Sequence, residues 1–159
     1  MNKKIKNASP LVYNGIKFKS RLEVMCYKTL LQEGFKPEYE KFTYVIWVGF
    51  VPKIPFYTKN RFKRKNKWIE SLSKSTVKDS RILPSITYTP DFIVEYKGKT
   101  IVIEAKGREN DVFPYKFKIF RKYLEEDEFE RKKNYEIWEV FTKKQLLELI
   151  EKLKKDGTK

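Results

Sequence analysis

A chain of 159 residues is long enough for one compact domain that folds without disulfides or structural metal. Apolar residues make up 40% of it, charged residues 36% and aromatics 16%, which excludes a wholly disordered protein. The 36 Lys and Arg outnumber 21 Asp and Glu, and the resulting +15 repels itself unless a polyanion neutralises it. Nucleic acid is the first candidate, with ribosomal or chromatin-like packaging and anionic membrane satisfying the same charge.

Residues 1–19 read as a basic, irregular lead-in, with an Asn14-Gly15 turn signal that leaves room for a short hairpin. Ser20 fits an N-cap, and Leu22, Met25, Cys26, Leu30 and Leu31 recur near helical spacing until Gly34, which predicts a helix over about 20–33. Glu23, three residues after Ser20, reads by itself as half of a capping box. Phe35 to Val48 is rich in Tyr, Phe, Val, Ile and Trp and predicts one or two strands.

Over residues 52–81 the character changes. Pro52 and Pro55 bracket a break, and Lys59, Arg61, Lys63, Arg64, Lys65 and Lys67 are interleaved with Phe62 and Trp68. This predicts a basic inserted arm or loop, about 49–83 in all, whose cations meet DNA phosphates while its aromatics stack on bases or pack the arm down; a solvated charged face is the plainer reading. Thr87 to Glu95 again reads as strand, interrupted by Pro90, and Lys97-Gly98-Lys99 turns into Thr100–Lys106 to make an antiparallel pair. Ile101 to Ala105 is almost continuously apolar, the pattern of a central strand. Phe113–Leu124 reads as a basic helix, Tyr135–Phe141 as a strand and Lys143–Lys155 as a charged amphipathic helix. Without repeats or long low-complexity linkers, residues 1–159 are expected to form a single domain.

The chain has no histidine, so His-based triads, His-ligated zinc and His general bases are excluded. Hydrolytic chemistry must rest on carboxylates, lysine and metal. The single cysteine, Cys26, cannot form an internal disulfide and fits a reducing compartment, the cytoplasm. The basic N-terminus is not followed by an apolar signal region and no window approaches a membrane span, so neither export nor a membrane partner is expected.

Chemistry concentrates in Pro90-Asp91, twelve intervening residues, then Glu104-Ala105-Lys106. In a hairpin of this length the two acids can lie side by side, and alternation puts Glu104 and Lys106 on one face. Hard oxygen ligands of this kind suit magnesium or manganese, which would bind a scissile phosphate and lower the pKa of an attacking water. Lys106 adds positive charge where the phosphate becomes more negative. A pair of salt-bridged surface residues is the alternative; the proline before Asp91, the apolar strand ending in Glu104 and the glycine after Lys106 speak against it. Lys116 and Lys118, with Arg108 and Arg121, could contact the DNA backbone or assist the metal, or be ordinary exposed helix cations.

Pro90-Asp91 with Glu104-Ala105-Lys106 resembles the PD-(D/E)xK nuclease superfamily, and within it the bacteriophage endonuclease I group of Holliday-junction resolvases. The resemblance also takes in Arg21-Leu22-Glu23, the segment Gly34-Phe35-Lys36-Pro37-Glu38-Tyr39-Glu40, Thr87-Tyr88-Thr89-Pro90-Asp91-Phe92 and Ile103-Glu104-Ala105-Lys106-Gly107, over residues 13–48 and 84–125. It implies an α/β (α+β) fold with a restriction-endonuclease-like core, a mixed central β-sheet flanked by helices. It implies further that Glu23 joins Asp91 and Glu104 around one or two magnesium ions, with the Ala105 carbonyl as a further ligand and Lys106 near the phosphate. The implied activity is magnesium-dependent cleavage of branched DNA by a homodimer in phage recombination, which would place it in the host cytoplasm. The stretch 49–83 is longer than in those resolvases and leaves flapped or linear DNA open as substrates. A non-catalytic nucleic-acid-binding protein and an interaction protein remain the competing expectations.

Overall fold

The computed structural model describes residues 11–54, 56–75, 82–107 and 111–156. Arg108, a candidate DNA contact, lies outside the described residues, as do the first ten residues of the basic lead-in and the side chain of Arg61. In chain order the elements are β1 (Leu11–Tyr13), β2 (Ile16–Phe18), α1 (Arg21–Gln32), β3 (Glu38–Tyr39), β4 (Tyr44–Trp47), β5 (Phe56–Arg64), β6 (Lys67–Ser75), β7 (Ile86–Tyr88), β8 (Phe92–Tyr96), β9 (Lys99–Ala105), α2 (Phe113–Arg131), β10 (Asn134–Val140) and α3 (Lys143–Asp156). The fold is α+β. It divides into two compact units, residues 1–44 with 87–159, and residues 45–86.

The first unit is built on a mixed four-stranded sheet in the order β10-β9-β8-β3. β8 and β9 are antiparallel and joined through Lys97 and Gly98, both at positive φ (47° and 79°), the backbone of a tight two-residue hairpin turn. β9 and β10 run parallel, which requires a long crossover, and α2 lies within it. With a neighbour on each side, β9 buries Ile101, Val102, Ile103, Glu104 and Ala105 in succession. Phe92, Val94, Ile101, Ile103, Trp138 and Val140 share a core with Phe18, with Val24, Cys26 and Leu30 of α1 and with Leu146, Ile150 and Leu153 of α3. Each such side chain, fully buried, stabilises the fold by about 1.5–3 kcal/mol relative to exposure. Elsewhere Phe120 of α2 stacks on Tyr88, ring centroids 4.3 Å apart, and meets Tyr44 at 5.3 Å.

Two differences from the sequence expectations have physical causes. The stretch expected as one interrupted strand is two strands in different sheets: β7 pairs with β4, whereas β8 joins the central sheet, and Pro90, which has no N–H to donate, falls in the break. α2 continues past Leu124 to Arg131. Its last two turns carry no apolar periodicity and are tied by the pairs Lys122–Glu126 (2.8 Å) and Asp127–Arg131 (2.9 Å) until Lys132, at φ 53°, ends the helix.

In the second unit, β5 and β6 form an antiparallel hairpin of nine residues per strand, in register from Phe56↔Ser75 to Arg64↔Lys67. The arm expected here is thus regular sheet. Its turn uses Lys65 and Asn66, both at positive φ (46° and 61°), and lacks the glycine that ordinarily betrays such a turn in a sequence. Nearby, Gly49 approaches the 83–85 backbone so closely that a Cβ would fall 2.5 Å from the Leu83 carbonyl oxygen. Among the described residues no helix is long and apolar enough to cross a membrane.

Candidate metal centre

The site begins with strand register. Phe92 pairs with Ile103 at the start of the β8–β9 ladder, and Asp91, immediately before β8, would fall across from Glu104 if that register were continued by one step. Alternation would then give Asp91, Ile93 and Glu95 one face in common with Thr100, Val102 and Glu104. At the far end of that face Thr100 donates its hydroxyl to Glu95 at 2.9 Å, so the pairing is anchored at both ends. Asp91 is held to β9 directly, its Oδ2 accepting the Ala105 N–H at 2.8 Å. In an extended strand a residue's N–H and C=O point to the same side, so the Ala105 carbonyl faces Asp91 as well.

Glu104 is only 6% exposed. Its Oε1 accepts from Lys106 Nζ at 2.8 Å, while its Oε2 is buried without a hydrogen-bond partner. The buried Tyr88 hydroxyl lies beside this carboxylate without reaching hydrogen-bond geometry, and burial, followed by the Glu104 charge, pushes the phenol well above its ordinary range. The Lys106 ammonium sits 3.6 Å from the centre of the Phe113 ring, and its backbone N–H donates to the Val140 carbonyl at 2.8 Å. Lys106 is thereby fixed between an aromatic face and a carboxylate.

Glu23 approaches from α1. It is 6% exposed, and Ser20 caps the helix by accepting the Glu23 N–H at 3.2 Å. The glutamate answers through three bonds of its own: Oε1 accepts the Ser20 hydroxyl at 2.8 Å, and Oε2 accepts the Lys19 N–H at 2.9 Å and the Tyr39 hydroxyl at 2.7 Å. This is a capping box shifted by one residue, since the side chain reaches the amide before the cap. Burial and the Glu23 charge raise the Tyr39 phenol far above its usual value.

These carboxylates act on one another. Burial first, then the charges of Glu104 and Glu23, push Asp91 up to about 7, against the opposing pull of the Ala105 N–H and Lys106. Burial, then the charges of Asp91 and Glu23, also raises the Cys26 thiol to about 12. A divalent cation would relieve this crowding: Glu104 offers a desolvated oxygen without a partner, Asp91 lies close enough to feel its charge, and the donors are hard oxygens. Asp91, Glu104, Lys106 and Ala105 are brought together, while Glu23 is turned to its own cap. Among the described residues no group of three or more His, Cys, Asp or Glu stands close enough to hold a metal ion.

The expected DNA contacts are distributed. Lys59, Lys63, Arg64, Lys65 and Lys67 are exposed on the β5–β6 hairpin, with Lys59 paired to Glu70. On α2, Lys118 is exposed and Lys116 donates to the Thr87 carbonyl at 3.2 Å. Arg121 lines a groove of about 490 Å³ between α2 and β10 together with Glu125 and Glu128, and none of Asp91, Glu104 and Lys106 belongs to its wall. Sequence reasoning gave no role to Tyr39, Tyr88 or Phe113, nor to Glu139, which β10 sets in register with Glu104. Tyr39, inside the Gly34–Glu40 segment, and Tyr88, inside the Thr87–Phe92 segment, carried a signal that could have singled them out.

No curated protein and no solved structure matches the chain. A family model does match it over residues 3–139, most of its length, and the chain therefore belongs to the family described as "Protein of unknown function (DUF1064)".

Proposed function

We propose that this chain is a divalent-metal-dependent DNA endonuclease of the PD-(D/E)xK kind, with a restriction-endonuclease-like core. One observation carries the reading. Asp91, just before β8, accepts the Ala105 N–H and feels the charge of Glu104 on β9, whose carboxylate has the Lys106 ammonium on one oxygen and no hydrogen-bond partner on the other. Asp91, Glu104 and the Ala105 carbonyl would hold magnesium or manganese, with Glu23 as the candidate further ligand. The ion would neutralise the phosphate and acidify water there.

The chain's own groups divide the remaining work. The Ala105 N–H orients Asp91, and Phe113 holds the Lys106 ammonium where it can donate to a phosphoryl oxygen as negative charge grows. Ser20, Tyr39 and the Lys19 amide hold Glu23, whose charge acts on Asp91. The net +15 supplies the attraction for DNA. In its finer form the reading is cutting of branched DNA, such as four-way junctions, by a homodimer in the cytoplasm, in keeping with the likeness to junction resolvases.

The test is incubation of the purified chain with supercoiled, linear and four-way-junction DNA, with magnesium or chelator, beside Glu104→Gln. Cleavage that requires magnesium and disappears in the variant, with binding kept, is the expected outcome. Equal cutting by both proteins would sink the assigned site, and preference for linear DNA would remove the junction refinement. A second reading, a basic DNA-binding protein without catalysis, is favoured by the absence of an assembled three-ligand group among the described residues. It predicts binding with no cutting under any metal.

A further inference from the structure

The β5–β6 hairpin carries a pattern that neither folding nor edge protection explains. At its tip Arg64 stands directly opposite Lys67 across the ladder, with Lys65 in the turn between them and Lys63 one residue away. Like charges facing each other across a sheet are destabilising, and here they are concentrated at the end of a ribbon that, among the described residues, is a two-stranded sheet. A polyanion lying along the tip would turn that repulsion into attraction.

The aromatics add a second constraint. Strand alternation puts Tyr57, Lys59 and Lys63 on one face with Trp68 and Glu70, and Lys63 is the direct cross-strand partner of Trp68. Trp68 is 58% exposed and Tyr57 55%. Lysines alone would suffice to discourage edge-to-edge aggregation of such a ribbon, and large exposed rings on the same face would work against it. Rings between cations are what a strand with open base faces requires: the cations follow the phosphates and the rings stack on bases. Duplex DNA keeps its base faces stacked and offers such a ring nothing.

We infer that the hairpin binds DNA through unpaired bases, with Trp68 as the stacking platform and Lys63, Arg64, Lys65 and Lys67 as phosphate contacts. This rests on the reading of the chain as a DNA-acting protein and narrows its substrates to DNA with a single-stranded or unstacked segment. Tyr57, on the same face and about 20 Å along the strand from Lys63, supplies a second ring for the same strand.

The experiment is fluorescence anisotropy with labelled oligothymidylate and with a blunt duplex of the same length, in chelator, for the full chain and for Trp68→Ala, Trp68→Phe and Lys65→Glu. Trp68→Ala weakens oligothymidylate binding about ten-fold and duplex binding less than about two-fold, Trp68→Phe recovers most of the loss, and Lys65→Glu weakens both. Retained duplex affinity shows that the Ala variant keeps its fold. Equal loss on both DNAs with Trp68→Ala, no loss on either, or unchanged affinities with Lys65→Glu would each overturn the inference. Chelator separates binding from cutting. A chain that never cleaves but shows the Trp68 effect fails as a nuclease and keeps this contact; one that cleaves without the effect does the reverse.

Discussion

β9 and β6 are both long strands, yet their environments are opposite. β9 lies between β8 and β10 and buries five consecutive residues, Ile101 to Ala105, so its position is fixed by apolar area removed from water. Among the described residues β6 pairs only with β5, and its described side chains are exposed, from Lys67 to Ser71. Charge follows the same division: β9 ends in a desolvated carboxylate beside other carboxylates, and the hairpin ends in cations facing cations. A rigid, electron-rich floor suits a cation, and an exposed cationic ribbon suits a polyanion. The contrast shows how a chain of net +15 can still keep a pocket of negative charge: the acids are placed by the core.

Three experiments can break or sharpen that contrast. The largest difference is expected in thiol reactivity. Cys26 is fully buried and its thiol is raised from 9.0 to about 12, so about a thousand-fold less of it is thiolate at neutral pH. Iodoacetamide should leave Cys26 untouched in the native protein and label it in urea, while a cysteine placed at the exposed Ser71 reacts at once. Prompt native labelling of Cys26 would mean that the α1 core is open.

Next come truncations. Ile103→Ala, at a site with 0% exposure, should cost about 2–5 kcal/mol in urea unfolding, and Ile69→Ala in the hairpin, at 36% exposure, about 1 kcal/mol. Equal costs would erase the distinction between the two strands.

The third contrast is in pH dependence. Because the Asp91 carboxyl is raised from 3.8 to about 7 in the folded chain, the fold favours its protonated form. Its favourable contribution is therefore complete below about pH 4 and is lost as pH rises through about 7. In chelator, the urea midpoint of Asp91→Asn minus that of wild type should be lower at about pH 4 than at about pH 8, with the rise centred between these limits. A difference that does not vary with pH would remove the carboxylate crowding from the site.

Much was legible along the chain because it rests on local rules. The Ser20 cap with Glu23, the Asn14-Gly15 turn, the apolar run of β9 and the Asp91 and Glu104-x-Lys106 spacing are all written within short windows, where period and turn chemistry operate. The β5–β6 hairpin escaped because its Lys65-Asn66 turn has no glycine, and the end of α2 escaped because charged i,i+4 pairs leave no apolar period.

Neighbours brought from far along the chain were not legible. Tyr39 on Glu23, Tyr88 beside Glu104, Phe113 under Lys106 and Glu139 in register with Glu104 are joined across 16 residues or more, or across different elements. By itself the sequence determined which residues carry charge, which strand is central and which acids lie within reach of one another. Only the tertiary structure decided that Asp91 is tied to the Ala105 N–H within reach of the Glu104 charge, that one Glu104 oxygen is stripped of partners and that Glu23 is held by its own cap, because desolvation and long-range hydrogen bonds exist only once separate elements have packed.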